Sequence, residues 1–115
     1  MDPQLRAQLK SVIGIATAAT LDIAGQVQVG SSFTAFARCE NYFREFQVGG
    51  VIERTTHLVI LDEVTGASVN EYAMQEANIW LPGTTPGDIQ TARRPRTVHY
   101  CIGELGELDH VEITL

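Results

Sequence analysis

The sequence predicts an all-β protein: a small β-barrel or sandwich of about six short strands, with a short helix or arm at the N-terminus. The stretch "FTAFARCE" (residues 33–40) alternates between two sets of side chains, one of them carrying the charges, which is typical of a half-buried strand. "THLVIL" (56–61) is an apolar, β-branched run of strand length. Helical spacing is scarce after the first dozen residues, and turn residues separate the strand-length runs. These observations favour strands over helices.

The first half of the chain contains the clearest strand and turn signals. Residues 3–10 are predicted as either a short helix or an unstructured arm, because Pro3 suits the first turn of a helix. "SVIGIAT" (11–17) predicts the first strand, and "DIAGQ" (22–26) predicts a turn. "NYFREFQVGGVI" (41–52) predicts a loop or a hairpin around its Gly-Gly pair, which leads into the strand at 56–61.

The second half alternates between turns and strands. "DEVTGAS" (62–68) predicts a turn, and residues 71–77 have a helix-tolerant composition in a segment too short to assign. "NIWL" (78–81) predicts a short strand that ends at a Pro-Gly pair. Residues 97–115 predict two strands joined by an acidic turn.

The chain is expected to form a single domain over residues 1–115, with the barrel in residues 11–115. The expected core consists of residues in alternating or continuous apolar runs: Val12, Ile15, Phe33, Leu58, Ile60, Trp80, Val98 and Ile113.

Composition excludes several classes of protein. With 44% hydrophobic and 19% charged residues, the chain has ordinary globular composition. Its net charge of −6 argues against tight DNA binding, which needs a cationic surface. No secretory signal or membrane span is visible, which predicts a soluble protein made in a reducing compartment.

The cysteine and histidine residues follow no recognised metal-binding pattern. His99 and Cys101 are two residues apart, and neither CxxC nor HxxxH occurs. Cys39 and Cys101 lie in strand patterns where a small apolar side chain fits. The sequence therefore predicts no metal site, and neither cysteine is expected to act as a ligand or a nucleophile.

The recurring catalytic patterns are also missing. No G-x-S-x-G motif surrounds a serine, and the glycine-rich stretches lack the spacing and the lysine of a phosphate-binding loop. The sequence therefore predicts that the protein is not an enzyme and has no cofactor.

A basic cluster and an acidic turn stand out near the C-terminus. Arg93, Arg94 and Arg96 surround a proline just before a predicted strand. Glu104, Glu107 and Asp109 lie on the turn that follows that strand. One interpretation is a solvated loop, since charge runs usually face water. The other is a contact between copies of the chain, in which the arginines of one subunit meet the carboxylates of the next and close a head-to-tail ring.

The order of these segments resembles the head-closure, or stopper, family of head-to-tail joining proteins in tailed bacteriophages. "LDIAGQVQVG" stands where that family has Asp-x-x-Gly-[Gln or Lys]-Pro-x-[Phe or Tyr]-Gly, and "TAFARCE" resembles its "ARVE" strand. "THLVILD" resembles "TTVYLD", and "IWLPG" resembles "ITLPDG". The resemblance spans residues 11–115, with two departures: Val27 replaces the common proline, and residues 63–77 are longer than expected.

This resemblance implies a homo-oligomeric ring in the neck of the virion, assembled in the bacterial cytoplasm, with a hexamer favoured over a dodecamer. The ring would contact the portal or adaptor protein on the head side and the tail-terminator protein on the tail side. Double-stranded DNA would pass through without tight binding. The resemblance also implies that residues 41–52 form a loop that helps close the DNA channel after packaging and opens for ejection, with the gating candidates Tyr42, Phe43, Arg44, Phe46, Gly49 and Gly50. The other interpretation of this segment is a plain hairpin whose aromatic side chains lie in the core.

The sequence also allows two alternative functions. A tail-terminator or adaptor protein of the same neck is the nearest, and adaptors tend to be helical. A small β-barrel module that binds nucleic acid is an alternative of another class, and "FREF" (43–46) is the one stretch with interleaved aromatic and basic residues that it needs.

Overall fold

A six-stranded antiparallel sheet forms the body of the protein in the computed structural model, which describes residues 1–17, 20–21, 27–28 and 32–115. In chain order the elements are α1 (Pro3–Arg6), β1 (Ser11–Ala16), β2 (Thr20–Leu21), β3 (Val27–Gln28), β4 (Ser32–Val48), β5 (Val51–Asp62), α2 (Glu63–Ser68), α3 (Glu71–Gln75), β6 (Asn78–Trp80), β7 (Thr97–Ile102) and β8 (Leu108–Thr114). The sheet has the strand order β6-β1-β4-β5-β8-β7, and β2 and β3 pair separately. The turn predicted at 22–26 lies outside the described residues.

About 50% of the described residues are in strands and 15% are in helices, which confirms the predicted all-β class. Of the two predictions for the N-terminal segment, a short helix is the one that forms, at Pro3–Arg6. The sheet is open and is not closed into a barrel. Its edges are β6, which pairs with β1, and β7, which pairs with β8.

The two faces of the sheet differ in what covers them. Cys39 lies opposite Val59, and Val59 lies opposite Ile113, so these side chains share one face because alternate residues of a strand point the same way. We call this the covered face, and its buried residues are Ile13, Ile15, Ala37, Val59, Leu61, Ile79, Val111 and Ile113. The opposite side is the open face, which includes Val12, Phe36, Arg38, Ile60, His110 and Glu112.

The layer over the covered face comes from the segment between β5 and β6. Val69, Met74 and Ala77 from this segment are buried in the same cluster as the strand residues. The prediction of a turn at 62–68 was wrong, because Asp62 caps α2 by accepting a hydrogen bond from the Thr65 backbone N–H at 2.8 Å. Asn70 caps α3 in the same way, by accepting a hydrogen bond from the Ala73 backbone N–H at 2.8 Å.

Most of the predicted core is confirmed, with one error. Ile15, Ile60, Trp80 and Ile113 are buried, and Phe33 and Val98 are partly buried against the core. Leu58 is half-buried. Val12 is 50% exposed: it lies on the open face opposite Phe36, which is itself 63% exposed, whereas Ile60 and Trp80 are buried on the same face.

Two segments cover parts of the open face. On one side, Arg6 of α1 forms an ion pair with Asp62 at 3.2 Å. On the other side, the loop after β6 folds back, so that the Trp80 indole N–H donates to the Asp88 carbonyl at 2.8 Å. Pro86 of this loop approaches Gly14 so closely that a Cβ there would lie 3.0 Å from the proline ring. Within the described residues, no helix is long and apolar enough to cross a membrane.

Candidate functional site

The long strands β4 and β5 extend beyond their neighbours as a projecting hairpin, residues 42–55. Strand β1 pairs with β4 only over residues 32–37, and β8 pairs with β5 over residues 58–62. The hairpin turns at Gly49 and Gly50, whose φ angles of 57° and 84° suit a two-residue type I′ turn. The segment predicted as a loop or hairpin is therefore a hairpin.

A β-bulge at the base of the projecting hairpin redirects its strands. The register between β4 and β5 shifts between Asn41 and Arg44, which adds one residue to β4. Thr55, which is buried, donates its hydroxyl to the Tyr42 carbonyl at 3.1 Å. The Arg44 guanidinium lies 5.2 Å from the centre of the Tyr42 ring, within the range of a cation–π contact. These contacts fix the base of the hairpin and hold Tyr42 and Arg44 against it.

Beyond its base, the projecting hairpin exposes large apolar side chains. Phe43 is 68% exposed, Val51 is 60% exposed and Ile52 is 65% exposed. The side chain of Phe46, another predicted gating residue, lies outside what the structure describes. Val51 and Ile52 are consecutive in β5 and therefore point to opposite faces of the hairpin, so each face has exposed apolar surface that is available for contact with another molecule.

An open depression of about 320 Å³ lies where the projecting hairpin meets the end of the β7–β8 pair. Its lining residues are Tyr42, Arg44, Glu45, Thr55, Thr97 and Thr114. The depression is therefore lined both by the base of the hairpin and by β7, the strand that follows the arginine cluster.

The structure separates the three arginines of the basic cluster by role. Arg93 exchanges two backbone hydrogen bonds of 2.8 Å with Ile79, and its side chain donates to the Thr56 hydroxyl at 2.7 Å. Arg94 is exposed and lies 3.7 Å from Glu76. Arg96 is exposed, and its backbone N–H donates to the Thr114 carbonyl at 2.7 Å. Arg93 thus stabilises its own protomer, whereas Arg94 and Arg96 present charge at the surface.

The acidic turn lies at the other end of strand β7. Glu104 and Glu107 are exposed on this turn, which is closed by a 2.7 Å hydrogen bond from the Gly103 N–H to the Glu107 carbonyl. Asp109 forms ion pairs with His110 at 2.6 Å and with the Met1 amino group at 3.5 Å. Six strand residues separate the arginines from the acidic turn, or about 20 Å at the usual rise of a strand. The two groups therefore do not meet within one protomer.

Sequence reasoning missed a cluster on the open face of β7 and β8. The Cys101 sulfur, a ring nitrogen of His110 and a carboxylate oxygen of Glu112 all lie within 4.8 Å of one another. Spacing along the chain gave no signal for this group, because Cys101 and His110 meet only through the pairing of the two strands.

Burial and two carboxylates together set the pKa values in this cluster. Burial of the His110 ring disfavours its charge, but hydrogen bonds to Asp109 and Glu112 outweigh burial and raise its pKa. Burial, together with the charges of Glu112 and Asp109, raises the pKa of the Cys101 thiol. Burial likewise raises the pKa of the Cys39 thiol. Neither free thiol is therefore activated as a nucleophile, since the thiolate is the reactive form.

Comparison of the chain with known protein families, with curated proteins and with solved structures finds no match.

Proposed function

We propose that this protein is a structural ring component of a bacteriophage neck, a stopper that closes the DNA channel after packaging and opens for ejection. The observation that carries the proposal is the projecting hairpin. An isolated two-stranded hairpin is marginally stable in water, and this one also exposes Phe43, Val51 and Ile52. Its sequence is best explained if the apolar side chains are buried in an assembly.

A ring of copies provides that burial. If each subunit points its hairpin toward a common axis, the exposed apolar side chains of neighbouring copies pack against one another and narrow the channel. The base of the hairpin is fixed by the Thr55–Tyr42 hydrogen bond, while its Gly49-Gly50 turn has no side chains to restrict the backbone. Opening then requires a movement of the tip of the hairpin, while its base and the sheet stay in place.

The charges at the two ends of β7 support head-to-tail contacts in such a ring. Arg94 and Arg96 lie at one end of the strand, and Glu104 and Glu107 lie at the other. Each exposed ion pair contributes only about 0–1 kcal/mol. A closed ring repeats the same contact at every interface, so the pairs together bias assembly. Arg93 and Asp109 are left out of this contact because they are partly buried, whereas the other four residues are exposed.

The proposed partners are those that the resemblance to the head-closure family implies. The ring binds the portal or adaptor protein on the head side and the tail-terminator protein on the tail side, in the neck of the virion. The net charge of −6 per subunit lets double-stranded DNA pass without adhering. The low helix content is a reason to prefer a stopper over a helical adaptor of the same neck.

Charge reversal tests the ring contact. Arg94→Glu/Arg96→Glu gives a subunit with two acidic ends, and Glu104→Arg/Glu107→Arg gives one with two basic ends. We expect the wild type to form rings in sedimentation velocity at low ionic strength, and each variant alone to remain monomeric. Because every contact of an alternating ring is again complementary, an equimolar mixture should assemble, with the same average net charge as the wild type.

Two results would contradict the proposal. The first is assembly of both variants alone to the same extent as the wild type, which would place the interface elsewhere. The second is submicromolar binding of labelled single-stranded DNA in fluorescence anisotropy at low salt, which would favour the nucleic-acid-binding module instead.

A further inference from the structure

We propose that Cys101, His110 and Glu112 bind a divalent transition-metal ion of the zinc type on the open face of the β7–β8 pair. Their ligand atoms, one sulfur, one ring nitrogen and one carboxylate oxygen, lie within 4.8 Å of one another. These are the three ligand types that zinc prefers in proteins. The site goes beyond the proposed neck function and does not depend on it.

The strand pairing creates the cluster. Cys101 of β7 lies directly opposite His110 of β8. Glu112 is two residues further along β8, so its side chain emerges on the same face as His110. Eight residues separate Cys101 from His110 in the chain, which is why patterns of closely spaced ligands fail to detect the site.

The distances suit a tetrahedral ion. Zinc lies about 2.0–2.3 Å from nitrogen, oxygen and sulfur ligands, so tetrahedral ligands are about 3.3–3.6 Å from one another. The His110 Nε2 and a Glu112 carboxylate oxygen are 3.1 Å apart, close to that spacing. The remaining pairs of ligand atoms lie within 4.8 Å of each other, and small side-chain rotations bring them to the tetrahedral spacing. The backbone of the two strands need not move.

Asp109 orients the His110 ring for this role. Its carboxylate lies 2.6 Å from Nδ1 of His110, which leaves Nε2 directed toward Glu112. Metal-binding histidines in proteins almost always donate their second ring N–H to such a group. Asp109 reaches this position because a β-bulge shifts the register at Cys101 and Ile102, which places an extra residue in β8.

The charges around the cluster also fit a cation. Glu112 and Asp109 both contact the His110 ring, and His110 keeps 19% of its side chain accessible, so an ion can enter. Two cationic groups at this end of the sheet are engaged by other carboxylates: the Met1 amino group lies 3.5 Å from Asp109, and Arg6 lies 3.2 Å from Asp62. Neither of these ion pairs includes a proposed ligand. On binding, the Cys101 thiol loses its proton to the buffer, and water fills the fourth position.

The test is titration of the chelator-treated protein with Zn²⁺ in a calorimeter and with Co²⁺ in a spectrophotometer. We expect one ion per chain and a cobalt spectrum with a thiolate charge-transfer band and tetrahedral visible bands. Cys101→Ser should abolish the charge-transfer band, and His110→Ala should weaken zinc binding by at least about 100-fold. Asp109→Asn should weaken it by about 10–100-fold, because that residue only orients the histidine. Circular dichroism of each variant checks that it is folded.

The chain offers a matched control in its other cysteine. Cys39 lies on the covered face, so Cys39→Ser should leave both the stoichiometry and the cobalt spectrum unchanged. The proposal is wrong if the folded wild type binds no zinc, or if cobalt binds without a thiolate band. It is also wrong if Cys39→Ser loses the ion as Cys101→Ser does. None of these results bears on ring assembly, which sedimentation measures separately.

Discussion

Replacing Met74 with alanine tests whether the segment between β5 and β6 forms the second layer of the core. Met74 is fully buried in α3 and belongs to the cluster that includes the covered face. The substitution removes three heavy atoms, which at about 0.8 kcal/mol per buried methylene-sized group gives a lost transfer free energy of about 2.4 kcal/mol. The cavity left behind adds to this, so we expect the free energy of unfolding to fall by about 2–5 kcal/mol.

The assay is urea denaturation followed by far-UV circular dichroism, with thermal unfolding as a second measure. At about 4 °C per kcal/mol for a domain of this size, Tm should fall by about 8–20 °C. Gln75→Ala is the matched control, because Gln75 is the next residue of the same helix and is exposed, and its effect should stay within about 0.5 kcal/mol. Equal stability of the two variants would refute the packing of α3 on the sheet.

Three further predictions concern stability. Gly66→Ala should lower the free energy of unfolding by about 1–3 kcal/mol, measured by thermal unfolding, because the new Cβ would lie 2.6 Å from Val111 Cγ2. This loss should exceed the gain from the better helix propensity of alanine. A more stable variant would contradict the close approach of α2 to β8. Arg93→Gln should lower the free energy of unfolding in urea by about 1–2 kcal/mol, because the hydrogen bond to Thr56 is lost. Arg94→Gln should change it by less than about 0.5 kcal/mol in the same assay. Equal effects would show that the two arginines do not differ in their contribution to the protomer. Burial, reinforced by the charge of Glu71, raises the pKa of Tyr100 to about 12. The unfolded chain loses this phenolic proton at a lower pH than the folded protein does, so the free energy of unfolding should fall as pH rises from about 10 to about 12. In Tyr100→Phe this decline should be smaller. An unchanged decline would mean that another group causes it.

The strands of this fold are predictable from the sequence because their signal is local. The alternation in "FTAFARCE" and the β-branched run in "THLVIL" each specify a strand without reference to the rest of the chain. The glycine pair at 49–50 likewise specifies a tight hairpin turn through its own backbone freedom. These segments are β4, β5 and the turn between them.

The errors arise where contacts distant in sequence decide the outcome. The residues of α2 have weak helix propensity, and the helix forms because Asp62 caps it and Gly66 allows it to pack closely on β8. Val12 was assigned to the core because its neighbours are also apolar, and only the pairing with β4 shows which face it occupies.

The Cys101–His110–Glu112 cluster could not be predicted for a related reason. It depends on the register of β7 against β8 and on a bulge that no local pattern specifies. The sequence placed the arginines and the acidic turn at opposite ends of a predicted strand, but the different contacts of Arg93 and Arg94 required the structure.

The central claim is that the projecting hairpin lines the channel of a closed ring, and electron cryo-microscopy of the assembled protein tests it most directly. The protein is co-expressed with its proposed portal, adaptor and tail-terminator partners, and the complexes are imaged. The account predicts a ring of this chain between portal and tail, with residues 42–55 of every subunit converging on the axis. A ring whose hairpins point outward, or portal complexes that never contain this chain, would contradict it.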